Sequence, residues 1–293
     1  MEDNELEIIA VDDCSKDETR NILSEYDDIR VKKIFHDNNY GISAARNSGL
    51  RCVDGDAFFF IDGDDYLPLN ALATLVSKWE SDVDWVQGAY RRVNNRGEEL
   101  GVDFKQDSVY STHEQIKEHF NELEFIYTHN RLINSRWRRI FFPEGEVHED
   151  RFWNVEAFPG VNKIVTVSEP TYNYVVSDSS FSSKSRASRR YMTSAISLMR
   201  QMLNLPNCWS ATRELFLLTT IYKNLFLYGG MKDIKYCWSQ LDRDFKVSIN
   251  MDPPFPRFPV SLYKMLSRGI PDVIILLYAK FYKGIKILMK KPV

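Results

Sequence analysis

The segment Phe58-Phe59-Phe60-Ile61-Asp62-Gly63-Asp64-Asp65 places a run of large apolar residues directly before three carboxylates. The apolar run predicts a strand covered on both faces, with the carboxylates where that strand leaves its sheet. Crowded like charges are costly unless a cation compensates them, and Mg²⁺ or Mn²⁺ suits hard oxygen ligands. The segment therefore indicates a metal site for nucleotide chemistry. A plain turn or helix N-terminus remains an alternative, because Asp also caps amide groups.

Strand and helix patterns alternate on both sides of this segment. Strands are predicted at Leu6–Val11, Arg30–Phe35, Asp84–Tyr90 and Lys163–Val167, and helices at about Glu18–Tyr26, Gly41–Leu50, Pro68–Trp79, 112–124 and Arg151–Phe158. Residues 91–110 are polar and predict a hairpin or a variable loop. This order predicts an α/β fold with a parallel sheet, whose loops gather at the carboxyl ends of its strands.

The C-terminal part of the chain has a different pattern. We predict one domain over residues 1–182 and a helical region over 183–293, joined through a polar, serine-rich linker. Residues 272–293 place apolar side chains on one helical arc and lysines on the other. This pattern suits a helix lying on an anionic membrane surface, and equally a terminal helix docked on the protein.

Composition and charge narrow the class of protein. The 293 residues are 44% hydrophobic, enough for a large core, and the net charge is −3. The first 65 residues hold 17 acidic against 7 basic side chains, whereas residues 264–293 hold 7 basic against one acidic. The four cysteines are scattered, which argues against a zinc site and favours a reducing cytoplasm. The sequence shows no secretory signal and no run of about 18 apolar residues.

Ordered motifs in residues 6–182 resemble those of the family 2 glycosyltransferases, inverting enzymes that use nucleotide sugars. The motifs are Val11-Asp12-Asp13-Cys14-Ser15-Lys16-Asp17, with Cys14 where the family commonly has Gly, then Gly41-Ile42-Ser43-Ala44-Ala45-Arg46-Asn47-Ser48-Gly49, Asp62-Gly63-Asp64-Asp65 and His148-Glu149-Asp150. The resemblance implies the GT-A fold, a Rossmann-like, mostly parallel sheet flanked by helices.

The resemblance also implies roles for the residues at matching positions. Asp13 would accept a hydrogen bond from the nucleobase and Arg46 would hold the nucleotide, as suits a carboxylate and a guanidinium. Asp62 would lie near the ribose, and Asp64 would bind Mn²⁺ or Mg²⁺, which would neutralise the departing diphosphate. Outside these motifs, Asp13 would be interpreted as a turn residue and Arg46 as part of a surface salt bridge.

Inverting transfer needs a base on the side of the sugar opposite the leaving group. The resemblance assigns this role to Asp150, with Glu149 orienting the base or the acceptor. Both residues also begin a predicted helix, where carboxylates are favoured by the helix dipole. The two interpretations are compatible.

Three further features of the sequence bear on the site. The arginines at 131, 136, 138 and 139 would bind a phosphate-bearing acceptor, or form a solvated basic face. Val175 stands where the family usually has Arg in a Tyr-Tyr-Arg segment.

The family also starts with a strand ending in Pro-x-Tyr-Asn and a helix, neither of which precedes Leu6–Val11 in this chain. We therefore expect unpaired backbone groups beside that strand.

The leading hypothesis is an inverting transfer from a nucleotide-diphosphate sugar, UDP-linked, to a saccharide or lipid-linked acceptor in bacterial surface polysaccharide synthesis. The expected location is the cytoplasm, with peripheral contact at the inner face of the plasma membrane through residues 272–293. No nucleic-acid partner is expected. The alternatives are a truncated remnant with little or no activity, and a nucleotidyltransferase.

Overall fold

The computed structural model describes residues 6–103, 106–121 and 127–176, together with residues 194, 197 and 198. The chain divides into two units, Met1–Asp178 and Ser179–Val293, and the fold given below is that of the first. The predicted helical region at 183–293 and its basic tail lie almost wholly outside the described residues. Within those residues, no helix has the length and apolar character needed to cross a membrane.

The predicted helices and strands occur in the predicted order, and two strands that were not predicted, at residues 108–110 and 131–134, are added to them. The helices are Thr19–Glu25 (α1), Ile42–Cys52 (α2), Ala71–Val76 (α3), His113–Asn121 (α4) and Glu149–Ala157 (α5). The strands are Ile8–Asp12 (β1), Val31–Phe35 (β2), Ala57–Phe59 (β3), Trp85–Val93 (β4), Glu99–Asp103 (β5), Ser108–Tyr110 (β6), Arg131–Asn134 (β7) and Ile164–Val175 (β8). The α/β class is confirmed, and a hairpin of β4 and β5 occupies the predicted polar segment.

The pairing of the strands determines where their ends meet. β1 and β2 pair in parallel as a two-stranded sheet, and the other strands form a second sheet in the order β3-β7-β4-β8-β6, with β5 paired to β4. β4 and β8 are parallel, whereas β7 is antiparallel to both β3 and β4. β3 and β4 therefore run in the same direction, and their carboxyl ends lie at the same edge of the sheet.

β3 is shorter than the sequence predicted. It ends at Phe59, which lies opposite Leu132 of β7. Phe58 is buried, but Ile61 is 50% exposed. The prediction of a strand covered on both faces was therefore wrong for residues 60 and 61, which have left the sheet and lead into the acidic turn.

A compact apolar cluster lies between α3 and the larger sheet. Its buried members come from α3, the turn after it and the strands β4, β7 and β8: Leu75, Val83, Val86, Leu132, Val165 and Val167. Burying one such side chain contributes roughly 1.5–3 kcal/mol relative to leaving it in water. The cluster fixes α3 and the central strands together and leaves the carboxyl ends of the strands for polar side chains.

A buried carboxylate holds the opposite end of β4. Asp84, which is fully buried, accepts hydrogen bonds from the indole of Trp137 at 2.7 Å and from the backbone amides of Asn162 at 2.6 Å and Lys163 at 2.9 Å. It also pairs with Arg136. These bonds satisfy a charge that would otherwise be costly to bury, and they tie β4, β7 and β8 together at this end.

Gly88 allows β4 and β8 to approach closely. A Cβ atom on Gly88 would lie 1.9 Å from Oγ1 of Thr171. That hydroxyl donates to Oδ1 of Asn130 at 2.5 Å, and Nδ2 of Asn130 donates to the carbonyl oxygen of Gly88 at 2.5 Å. Asn130 has a φ of 61°, in the left-handed region. Its two hydrogen bonds hold the chain just before β7, where Thr128 and His129 lie.

We expect Gly88→Ala to lower the free energy of unfolding by about 1–3 kcal/mol, because the new methyl group overpacks against a hydroxyl that is already bonded. Gly49→Ala is the matched control. It lies within α2, where its Cβ would be 3.8 Å from Val11, an ordinary contact, and removing a helical glycine stabilises by roughly 0.5–1 kcal/mol. Urea denaturation followed by tryptophan fluorescence measures both. Equal effects of the two substitutions would contradict this account of Gly88.

Candidate active site

The side chain of Arg46 joins three carboxylates that are distant in sequence. Arg46 lies on α2 and is 9% exposed. Its Nη1 donates to Oε1 of Glu149 at 2.9 Å and to Oδ1 of Asp150 at 2.7 Å, and its Nη2 donates to Oδ1 of Asp62 at 2.9 Å. The acidic turn after β3 and the start of α5, predicted as separate parts of one site, are thus in contact through one guanidinium.

The surroundings of Arg46 strengthen these ion pairs. Its guanidinium carbon lies 5.2 Å from the ring centre of Phe142 and 5.9 Å from that of Phe60. Burial by itself lowers the pKa of Arg46, but the carboxylates of Asp150, Asp62 and Glu149 outweigh it and the pKa is raised. Arg46 is therefore a permanent cation here, in a site from which two aromatic rings exclude water.

Glu149 and Asp150 form the first turn of α5. Burial and the charge of Asp150 both raise the pKa of Glu149, while the charge of Arg46 lowers it in part. Asp150 accepts a second hydrogen bond, from the Thr128 hydroxyl at 2.6 Å, also through Oδ1. Within the described part of the chain, side-chain hydrogen bonds to Asp150 reach Oδ1 alone, so Oδ2 remains as an acceptor. Thr128 carried no sequence motif and was missed.

The neighbouring carboxylates of Asp64 and Asp65 in the acidic turn have different surroundings. Oδ2 of Asp65 accepts from the Tyr172 hydroxyl at 2.8 Å, and Oδ1 accepts from the Val175 amide at 2.8 Å. Burial, followed by the charges of Asp64 and Asp62, raises the pKa of Asp65 to about 6. Both carboxylate oxygens of Asp65 are therefore hydrogen-bonded to residues of β8. Asp64 is exposed, and in the described ranges its carboxylate makes neither a hydrogen bond nor an ion pair.

No group of three His, Cys, Asp or Glu side chains among the described residues is arranged to hold a metal ion. The exposed carboxylate of Asp64 nevertheless fits Mg²⁺ or Mn²⁺. Such ions are commonly bound through one or two carboxylates and completed by substrate phosphates and water, so a site of this kind needs few protein ligands.

Asp13 organises the loop that leads into α2. Its Oδ1 contacts Nδ1 of His36 at 2.7 Å and accepts from the Tyr40 amide at 2.9 Å, and its Oδ2 accepts from the Gly41 amide at 2.7 Å. Burial tends to raise the pKa of Asp13, but these hydrogen bonds outweigh it and the pKa is lowered. Nε2 of His36 in turn lies 2.9 Å from the Ser48 hydroxyl. The sequence did not indicate His36 as part of this network.

Cys14, at the position where a glycine was expected, adopts a left-handed conformation with φ of 62°. Glycine adopts such a φ without steric cost, which explains its frequent use in this motif. Here the Cys14 thiol contacts the carbonyl oxygen of Asp37 at 3.6 Å. The departure from the motif therefore keeps the backbone turn that the motif requires.

Two arginines of the basic stretch after residue 130 are engaged within the fold, whereas Arg138 donates to the carbonyl oxygen of Val53 at 3.2 Å and Arg139 is exposed. Arg131 is fully buried, donates to Oδ1 of Asn154 at 2.7 Å, and has its guanidinium 5.3 Å from the ring centre of Trp85. Burial lowers the pKa of Arg131 to about 9. Arg136 pairs with Asp84, as described above. Both interpretations of Arg131, as an acceptor ligand and as a solvated charge, were therefore wrong, because β7 is buried on both faces at this end.

Comparison with known proteins identifies similar sequences and one similar fold. The sequence model described as Glycosyl transferase family 2 matches residues 2–141. Among curated proteins, an uncharacterized glycosyltransferase EpsJ of Bacillus subtilis is 28% identical over 182 residues, covering 58% of this chain and 53% of that protein. A GalNAc(5)-diNAcBac-PP-undecaprenol beta-1,3-glucosyltransferase of Campylobacter jejuni is 30% identical over 145 residues, covering 47% of each chain.

Among solved structures, that of residues 1–349 of Staphylococcus aureus TarS has a TM-score of 0.54 at 20% identity, covering 84% of this chain and 69% of that one. This likeness shows the fold, which is the predicted GT-A arrangement. The chain spans about half the length of the EpsJ and Campylobacter proteins that it matches.

Removing the cation at position 46 tests the electrostatics of the cluster. In Arg46→Met, three carboxylates lose their shared partner, so the pKa of Glu149 rises further above its unfolded value. A carboxyl group with a raised folded pKa contributes stability at low pH that is lost as the pH rises through that pKa. We therefore expect a loss of about 3–5 kcal/mol at pH 8 and a smaller loss at pH 5.

Urea unfolding at both pH values measures the effect. Arg51→Met is the control: Arg51 lies on the same helix, is exposed, and has its guanidinium 5.0 Å from the ring centre of Phe141. It should cost little, and equally at both pH values. A loss for Arg46→Met that does not depend on pH would contradict the assigned ion pairs.

Proposed function

We propose that this chain, whose residues 2–141 belong to glycosyltransferase family 2, transfers a sugar with inversion from a UDP-sugar to a saccharide or lipid-linked acceptor. The observation that carries the proposal is the contact of Arg46 with both Asp62 and Asp150. It brings an acidic turn suited to a metal and a diphosphate next to a carboxylate suited to a base. Inverting transfer requires these two functions on opposite sides of the reacting carbon.

Asp150 would act as the base through Oδ2. As the acceptor oxygen bonds to the anomeric carbon, its proton passes to the Asp150 carboxylate, and the bond between the anomeric carbon and the diphosphate oxygen breaks. Arg46 and Thr128 hold Oδ1 and so fix the direction of Oδ2. Glu149, which shares Nη1 of Arg46, would orient the acceptor hydroxyl. The bonding pair leaves with the diphosphate oxygen and the proton stays on Asp150, so the products are UDP and the glycosylated acceptor.

The acidic turn would bind the donor. Asp64 would hold Mg²⁺ or Mn²⁺, a cation that neutralises the charge developing on the leaving diphosphate when it is bound. Asp62 would accept a ribose hydroxyl through Oδ2, since its Oδ1 is taken by Arg46. For Arg46 we propose a different role from the one first expected. Its bonds to three carboxylates support a positioning role at the base, in place of direct contact with the nucleotide.

Asp13 would read the nucleobase with its remaining acceptor capacity. A carboxylate has about four lone-pair sites, and contacts with His36, Tyr40 and Gly41 occupy three of them. An imide N–H, as in uracil, is a suitable donor to the fourth. The loop contacts also keep the carboxylate in one orientation, which lowers the entropic cost of binding.

One relative supports a proposal for the acceptor and the cellular setting. The Campylobacter relative is named for an undecaprenol-linked acceptor. By analogy, we propose a role in bacterial surface polysaccharide synthesis at the cytoplasmic face of the membrane, with residues 272–293 as the peripheral contact.

Asp150→Asn tests the base. Asn keeps an acceptor oxygen for Arg46 and Thr128 but cannot take a proton, so we expect UDP release from a panel of UDP-hexoses and UDP-N-acetylhexosamines to fall by about 10²–10⁴-fold. Binding of UDP with Mn²⁺, measured by calorimetry, should persist. Glu156→Gln is the control, because Glu156 is an exposed acid on the same helix. Full activity of Asp150→Asn would exclude this assignment.

Asp64→Asn tests the metal site. We expect the Mn²⁺ concentration for half-maximal UDP release to rise by at least about tenfold, because the substitution removes the only charged ligand that the chain would supply directly. Asp65→Asn should change the metal requirement less, since β8 holds both oxygens of Asp65. Two results would count against the metal assignment: transfer that persists in excess EDTA, or a larger rise in the required Mn²⁺ concentration for Asp65→Asn than for Asp64→Asn.

A further inference from the structure

A column of aromatic rings rises from the apolar core to the surface beside the proposed base. Phe59 and Tyr172 have ring centres 6.2 Å apart, Tyr172 stacks on His129 at 4.8 Å and 24°, and His129 stacks on Tyr127 at 4.8 Å and 26°. Tyr172 and His129 are buried, whereas Tyr127 is 41% exposed. Tyr127 is therefore the outer ring of the column and is supported from below.

The rings beneath Tyr127 are held firmly. Tyr172 donates to Asp65 and accepts from the Asp62 amide at 3.1 Å. Burial lowers the pKa of His129, so its imidazole is neutral and stacks as an apolar ring. Tyr174 lies parallel to His129, with 5° between the planes and 6.2 Å between the centres. The exposed ring thus stands on a rigid support, and little ordering would be required when a ligand binds to it.

The position of Tyr127 along the chain places it at the acceptor side of the site. The next residue, Thr128, donates directly to Asp150. The nucleobase end of the donor, by contrast, would lie at Asp13, whose contacts are with the loop of residues 36–41. A flat surface one residue from Thr128, the hydrogen-bond partner of the base, is suited to meet the molecule whose hydroxyl the base deprotonates.

We propose that Tyr127 is the stacking platform for a pyranose ring of the acceptor, which places the acceptor hydroxyl against Asp150. Its assignment to the acceptor rests on the proposed function. The face of an aromatic ring is electronegative, and the axial C–H groups on one face of a pyranose are weakly positive and apolar. Stacking would orient the sugar without hydrogen bonds, and orientation of the attacking group is itself a large contribution to rate.

The test uses the full chain and defined probes: the methyl β-glycosides of cellobiose, lactose and N,N′-diacetylchitobiose. Saturation-transfer NMR and titration measure their binding in the presence of UDP and Mn²⁺. For the best probe we expect Tyr127→Ala to raise Kd by about tenfold and Tyr127→Phe, which keeps the ring, by no more than about twofold. Saturation should reach mainly the axial protons of one sugar face. Tyr26→Ala, at a tyrosine that is 54% exposed after α1, is the control.

The outcomes separate this proposal from the glycosyltransferase proposal. Unchanged probe affinity in Tyr127→Ala, or no binding of any probe to the natural chain, would overturn the platform. If probe binding depends on Tyr127 but the chain releases no UDP from any donor, the sugar site is supported and the proposed reaction is overturned. Calorimetry of UDP with Mn²⁺ on each variant verifies that the donor site is folded.

Discussion

The ion cluster around Arg46 is the interaction on which the candidate site depends. One buried guanidinium is shared by three carboxylates, from the turn after β3 and from the first turn of α5. Neither element is paired with the other through backbone hydrogen bonds, so this side chain sets the separation between the proposed donor and acceptor sides. The cluster keeps an excess of negative charge, and a cation bound beside it would be electrostatically favoured.

A second set of contacts links the site to the sheet. Asp65 and Tyr172 join the acidic turn to β8, and Asn130 and Thr171 join the start of β7 to β4 and β8. Thr128, which bonds to Asp150, lies two residues before Asn130. Polar residues that take no part in the proposed chemistry thus fix the geometry of those that do, as preorganised sites require.

The sequence was sufficient to predict the helices, most of the strands and several of the residues that meet at the carboxyl edge of the sheet, but not the strands β6 and β7. Ordered motifs identify Asp62, Arg46 and Asp150, because each lies at a strand end or in a helix of clear pattern. The motifs could not show that Arg46 bonds to the other two, since contacts between distant segments depend on packing. Thr128 and His36 are single polar residues outside any motif. Arg131 was misassigned because arginine side chains are mostly exposed in proteins, and because β7 was not predicted as a strand from its sequence.

The carboxylate of Asp84 has a consequence for how such a protein can change over generations. It gathers its hydrogen bonds at the amino end of β4, whereas the proposed chemistry lies at the carboxyl end of the same strand. The stability of the central strands is thus secured away from the loops that are proposed to contact substrates. Substitutions in the exposed parts of those loops, away from the ion cluster of Arg46, can accumulate at little cost to folding, so the loops can change while the contacts of Asp84 stay in place.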